Sequence, residues 1–404
     1  MTSPSTTAPG NFPLRRRTGT AAFHLSKEAV DFGSEDLERL TPLDAIKFLA
    51  NILWGSAKEM PCPHCGTIDE HYWSIREMRW KCTCCGKRFS VTSGTVFADR
   101  KLPLVKILKI VYAWANGASG KPALQLRRDW NVSYPTVYTL VHKLREGLLR
   151  GHNVGILCGV QEVDGSDVNG RRYKEKRNKP QGGSKDKDKP KFKESVKKKK
   201  EGEAPADLPP KWGKVEKQHP ERRILLVVRE RGTRKGKGAV STRVAVAVTE
   251  SSNTVIPMVT GFVSAESVIM SDEDTSYSSF KTRFAGHQTV SHSKTYSLPD
   301  GTNNNQAESF NWRMQRAVEG VYLSASNKYL KDYAAETAWR EDTRRLSTGR
   351  RLAHLLHVAL GVGHSLWWRN YTHGHHRKEE FLIEGHRPAK GRGKAVGAKG
   401  KVPR

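Results

Sequence analysis

Acidic residues are in short supply in this chain. Its 404 residues hold 41 Asp+Glu against 70 Lys+Arg, a formal charge of +29. A surplus of that size implies a polyanionic partner. Long apolar runs are also missing, and no segment approaches the roughly eighteen uninterrupted apolar residues of a membrane span, which excludes a membrane and favours nucleic acid. The start, Met1 to Thr7, is polar and lacks the apolar stretch of a secretory leader, so a cytoplasmic location is expected. Cysteine is sparse, with six residues, and in a reducing compartment these remain thiols open to metal. Hydrophobic residues make up 36%, enough for a core in part of the chain, and the length allows two or three domains.

Four of the six cysteines form two hooks, Cys62-Pro63-His64-Cys65 and Cys82-Thr83-Cys84-Cys85, sixteen residues apart. Two such pairs place four thiolates around one ion, and Gly66 and Gly86 follow each hook where the chain must turn tightly. The pattern reads as a zinc ribbon holding one structural Zn²⁺ through Cys62, Cys65, Cys82 and Cys85. Cys84 could replace Cys82 or Cys85, but the C-x-x-C rule favours the outer two. Four protein ligands leave no open position for catalysis, so the ribbon stabilises the fold or grips nucleic acid. Tyr72, Trp73 and Trp80 inside it suit packing in a small core better than base stacking.

Around the ribbon, composition and periodicity divide the chain. Residues 1–35 read as a disordered basic lead, 36–55 as a helix, 56–98 as the ribbon, and 99–150 as a helical region. In that region Leu104–Trp114 reads as a helix, a second opens at Pro122 and ends near Trp130, and Asn131-Val132-Ser133 turns into a third. Val137, Leu140, Val141, Leu144 and Leu148 give the third helix one apolar face. Its other face would offer Tyr134, Thr136, Thr139, Lys143 and Arg145, and residues 101–150 hold nine Lys/Arg against two Asp/Glu. This is a helix-turn-helix pattern with a candidate DNA-binding face.

Residues 151–345 alternate short β-branched runs with helical stretches, broken at about 168–221 by a Lys-rich low-complexity insertion, and 346–404 read as a C-terminal helix and basic tail. Strands are expected to end at Asp164 and at Asp272, a fifth strand around Gln288–His292, and a helix over Asn305–Val318 with Glu308 in its first turn. Carboxylates at such places could clamp two hard cations for phosphodiester chemistry.

The motifs carrying these acids resemble the DDE transposases of bacterial insertion sequences, in the zinc-ribbon group related to the Merlin elements. The resemblance runs through most of residues 40–345 and rests on the ribbon, the run Phe89 to Thr95, the step Lys101 to Leu104, and three acidic motifs. These are Glu162-Val163-Asp164, Ser271-Asp272-Glu273 with Tyr277, and Asn305-Gln306-Ala307-Glu308-Ser309-Phe310. It implies an α/β fold, an RNase H-like catalytic domain preceded by the ribbon and the helix-turn-helix region. It further implies two Mg²⁺ (or Mn²⁺) held by Asp164, Asp272 and Glu308, and partners consisting of double-stranded DNA at element ends and target. A homodimer or larger assembly and a nucleoid-associated place in a bacterial cytoplasm follow.

Asn305 shares a helix face with Glu308 and is an alternative third ligand. His292 resembles a family position before that helix. Where the family carries Lys then Arg, this chain has Gln315-Arg316, leaving Arg316 or Arg313 as the basic helper. Glu162, Asp167, Glu273 and Asp274 lie beside the motif centres and are expected to be mostly solvated. A DNA-binding regulator without catalysis and an RNase H-like nuclease without strand transfer are the rival functions.

Overall fold

The computed structural model describes residues 23–152, 154–169, 221–233, 238–291, 297–299, 301–375 and 377–383. His292 and nearly all of the Lys-rich insertion lie outside these described residues.

The expected helix over 36–55 is two helices, α1 (Ser34–Glu38) and α2 (Pro42–Trp54). The break is chemical. Pro42 has no N–H to donate, and Thr41 caps the second helix by accepting from Asp44 N at 3.2 Å while Asp44 Oδ2 accepts from Thr41 N at 3.1 Å.

The ribbon pairs β1 (Glu59–Pro61) with β2 (Ile68–Glu70), then β3 (Tyr72–Ser74), β4 (Arg79–Lys81) and β5 (Arg88–Phe89) in that order. Trp80 is buried, with its ring 4.8 Å from Trp73, 5.7 Å from Phe89 and 5.7 Å from Trp54 of α2. Tyr72 is exposed. Trp80 therefore glues the ribbon to the helix before it.

Three helices follow: α3 (Leu104–Ala115), α4 (Ala123–Trp130) and α5 (Tyr134–Gly151). Asn131 takes a left-handed φ of 44°, which lets three residues turn α4 into α5.

A five-stranded sheet comes next, with β6 (Val160–Val168), β7 (Arg223–Arg231), β8 (Ala239–Ala247), β9 (Val268–Asp272) and β10 (Gly286–Val290). Its spatial order is β10-β9-β6-β7-β8. The first three strands in sequence form an antiparallel meander, and β9 then adds parallel to β6, with β10 parallel to β9. Helix α6 (Ser252–Phe262) covers one face, where Val255, Met258 and Val259 meet Val163, Leu226 and Val228. The other face carries α7 (Asn305–Ala317) and α8 (Leu330–Asp342), with Phe310, Met314 and Ala338 against Leu225, Val227 and Val246. Helix α9 (Thr348–Gly361) returns to pack on α2, α3 and α5. At Gly147 of α5 a Cβ would sit 2.7 Å from Ala359 Cα, so only glycine allows this helix approach.

Burial corrects one expected DNA contact. Arg145 is only 2% exposed, its Nε 2.7 Å from Glu336 Oε2 of α8 and its guanidinium 4.2 Å from the Tyr333 ring centre. The opposite Glu336 oxygen accepts from Arg340 Nε at 2.9 Å, and Arg340 in turn donates to the carbonyls of Trp114, Ala115 and Gly117 at the end of α3. Arg145 thus belongs to an interior ion-paired node rather than a DNA face. A long amphipathic helix looked two-sided in sequence, but α8 and α9 occupy the side that charge alone suggested was open.

Candidate active site and nucleic-acid interface

The ribbon cysteines converge. The Sγ atoms of Cys62, Cys65, Cys82 and Cys85 all lie within 4.8 Å of one another, with Cys62–Cys85 at 3.8 Å and Cys65–Cys82 at 3.5 Å. Four thiolates bonded tetrahedrally at about 2.3 Å to zinc require sulfur separations of about 3.8 Å, so the donor set fits the ion. Each hook starts just after a strand, and Gly66 (φ 77°) and Gly86 (φ 70°) return N–H groups to the carbonyls of Cys62 and Cys82 at 2.9 and 3.1 Å. Cys84 and Cys158 are exposed and stand outside the cluster.

The carboxylates meet at one place on the sheet. Strand β6 continues to Val168, so Asp164 lies within a strand rather than closing it. Pairing of β6 with β9 ends at Glu162↔Met270, which puts Asp164 and Asp272 each two residues beyond the last paired position, where the two parallel strands part.

Helix α7 is laid along β6. Glu162 Oε2 accepts from Gln306 N at 2.6 Å and Ala307 N at 3.2 Å, Asn311 Nδ2 donates to Asp164 Oδ2 at 2.8 Å, and Gln315 Nε2 donates to Ser166 Oγ at 3.0 Å. Residues two apart on a strand and about four apart on a helix advance by nearly the same length, which makes this register possible. Glu308 comes to the acids on the same helix.

Burial pushes the Asp164 carboxyl up to about 7; the Asn311 hydrogen bond opposes that shift, and the charges of Asp272, Glu250 and Glu308 add to it. Mutually repelling, half-buried carboxylates are a donor set that a hard divalent cation neutralises. Beside them Asn311 Oδ1 is buried without a hydrogen-bond partner among the described residues, another oxygen suited to a cation or its water. The residues present therefore fit the divalent metal that this chemistry needs.

Other expected positions separate. Glu308 is half-buried while Asn305 is exposed, although both lie in the first turn of α7. Arg313 is ion-paired with Glu341, which Arg344 also meets at 3.3 Å. Arg316 is exposed and lies over the exposed Trp312 ring at 5.3 Å. Asp167, Glu273 and Asp274 are exposed as anticipated, and Asp274 caps the turn over Thr275–Thr282. Glu162 departs from that expectation: it is fully buried, joined to Arg231 Nε at 2.5 Å, and anchors the start of α7.

Sequence reasoning missed Asn311 and Glu250. The strand-end rule that picked Asp272 would also have flagged Glu250, three residues after β8.

On the helical side, Arg127 and Arg128 at the end of α4 and Tyr134 at the start of α5 are exposed around the Asn131 turn, and Thr136 is half-buried. Thr136, Thr139 and Lys143 line a cavity of about 280 Å³ together with Arg100, Trp368 and Tyr371. Among the described residues no helix is long and apolar enough to cross a membrane.

Comparison with known families gives two matches. A transposase zinc-ribbon domain matches residues 43–88, and an ISXO2-like transposase domain matches residues 199–342. The second match holds Asp272 and Glu308 but begins after Asp164, so the sheet rather than the match brings Asp164 to them. No curated protein and no solved structure matches the chain.

Proposed function

Because this chain belongs to the zinc-ribbon DDE transposases, carrying both a transposase zinc ribbon and an ISXO2-like domain, we propose that it binds the terminal inverted repeats of an insertion sequence and cleaves and joins DNA strands there. The observation that carries this reading is the parting of β6 and β9, which leaves Asp164 and Asp272 side by side with Glu308 delivered by α7. The strand order, a meander extended by two parallel strands, supports an RNase H-like catalytic domain.

Two bound Mg²⁺ or Mn²⁺ ions would supply neutralising charge and a polarised oxygen nucleophile at the scissile phosphodiester. Asp164 and Asp272 would hold them from the two strands, with Glu308 completing the set from the helix. Asn311 fixes the Asp164 carboxylate by its hydrogen bond, and Glu162 holds the start of α7 so that Glu308 stays in register. Arg127, Arg128, Tyr134 and Thr136 around the helix turn are the surface we assign to the element ends, with the helix-turn-helix lying in the groove. Two ends must be brought together, so the working species is a dimer or larger assembly.

The test is cleavage of duplexes bearing the inverted repeats that flank the reading frame, with Mg²⁺ or Mn²⁺. Asp164→Asn, Asp272→Asn and Glu308→Gln should each lower cleavage by more than about a hundredfold with end binding retained, since each removes an anionic ligand. Asn305→Ala, losing only an exposed amide, should be milder. Cleavage unaffected by all three acid variants would leave a DNA-binding regulator as the better description.

A further inference from the structure

A fourth carboxylate approaches the same place from the opposite face of the sheet. Glu250 lies in the short connection between β8 and α6, and its carboxylate rests on the backbone of Gly165, the residue after Asp164. A Cβ at position 165 would lie only 2.3–2.5 Å from Glu250 Oε1, Cδ and Oε2, so the glycine forms the cradle that this carboxylate fills. Alternation along β6 turns Asp164 toward α7 and position 165 toward α6. Acids thus reach the gap between β6 and β9 from both sides.

Glu250 is also held there. Tyr277, fully buried, donates its hydroxyl hydrogen bond to Glu250 Oε1. Tyr277 is the aromatic that follows the second acidic motif, and this bond is what it does in the fold. The charges that act on these groups are acidic: Asp272, Asp274 and Asp167 on Glu250, and Glu250 on Asp164. A buried tyrosine spent on holding one carboxylate among other acids is costly unless a cation is present when the site works.

We propose that Glu250 is a fourth carboxylate ligand of the divalent-metal site, and that Tyr277 is the positioning residue which aims it. The proposal rests on the active-site reading above. Carboxylates from both faces would share two ions more evenly than three from one face and the strand ends, so losing Glu250 should weaken one ion more than the other.

The experiment is Mn²⁺ binding to the full chain by calorimetry and by electron paramagnetic resonance, beside cleavage measured as a function of Mn²⁺ concentration. Wild type should bind two ions. Glu250→Gln should bind one of the two at least tenfold more weakly and need correspondingly more Mn²⁺ for half-maximal cleavage. Tyr277→Phe should shift both readouts in the same direction by less. Gly165→Ala leaves every carboxylate in the sequence but fills the space of one, and should reproduce Glu250→Gln. Wild-type Mn²⁺ stoichiometry and affinity in both Glu250→Gln and Gly165→Ala would overturn the proposal. Absence of Mn²⁺ binding by wild type, or its persistence in Asp164→Asn, would instead overturn the site as a whole. Glu250→Ala serves where Gln lowers the folded yield, and unchanged Mn²⁺ binding there counts equally against the inference.

Discussion

His142 is a base held where it does not take a proton. It is fully buried in α5, its ring stacks 4.2 Å from that of Trp368, and neither ring nitrogen has a hydrogen-bond partner among the described residues. Burial, then the charges of Arg145 and Arg377, hold its pKa well below the ordinary value. Below about pH 6.5 the unfolded imidazole binds a proton that the folded one refuses, so this group's stability contribution is present at neutral pH and lost on acidification. Asp164, pushed up to about 7, acts in the opposite sense and costs stability as pH rises toward that value. The two are told apart by substitution. Between about pH 7.5 and 5.5 acidification should favour His142→Leu over the wild type, its melting temperature falling less or rising more, as followed by circular dichroism. The same pH dependence in both proteins would move the His142 contribution to other groups.

Side chains of one strand, β6, set much of the polar register of helix α7. Glu162, Asp164 and Ser166 face the sheet side on which Gln306, Asn311 and Gln315 bind them, so a change at the first contact is felt at the second. Glu162→Gln keeps the shape but weakens the cap on α7 and leaves Arg231 without its carboxylate. It should cost about 1–3 kcal/mol in denaturant unfolding and lower cleavage more than end binding. Cleavage at the wild-type rate would show that α7 holds its register by core packing alone. Elements of this size announced themselves in sequence. The periodic runs of α3 to α5 and the β-branched runs of β7 and β8 fall near where they were read, because their apolar faces are what the core takes up. The break between α1 and α2 was also written there, as Thr41-Pro42 with Asp44, but an uninterrupted apolar spacing masked it. Arg145 and Glu162 were not legible as interior groups. A charge looks solvated until its partner is known, and Glu336 and Arg231 lie 191 and 69 residues away. Glu250 lay near a strand end but in none of the three acidic motifs.

At the scale of the molecule the ribbon is not an appendage. Met60, Cys62, Trp80, Cys82 and Phe89 belong to the same buried cluster as α2, α3, α5, Trp339 and α9, and Trp339 stacks on Trp114 with ring centres 6.0 Å apart. Zinc should therefore matter beyond the ribbon. Chelation is expected to release one zinc per chain, lower the melting temperature of the whole transition and weaken binding to element ends, as read by metal analysis, calorimetry and a gel-shift titration. A zinc-stripped chain that melts as before would remove the metal from the account of stability.

Strands β6 and β7 pair as far as Val168↔Arg223, so residues 169–222 leave and re-enter the sheet at directly opposed positions. Asn169 holds a left-handed φ of 53°, and Asn169-Gly170 is the dipeptide that by itself closes a two-residue hairpin. Closing entropy grows so slowly with loop length, about 0.6 kcal/mol for each doubling, that the strands scarcely register how many residues intervene. The basic stretch between the two strands, 19 Lys/Arg against 9 Asp/Glu over residues 171–222, is therefore a length and charge that the β6–β7 pairing does not depend on, and the junction that carries it lies only four residues beyond Asp164.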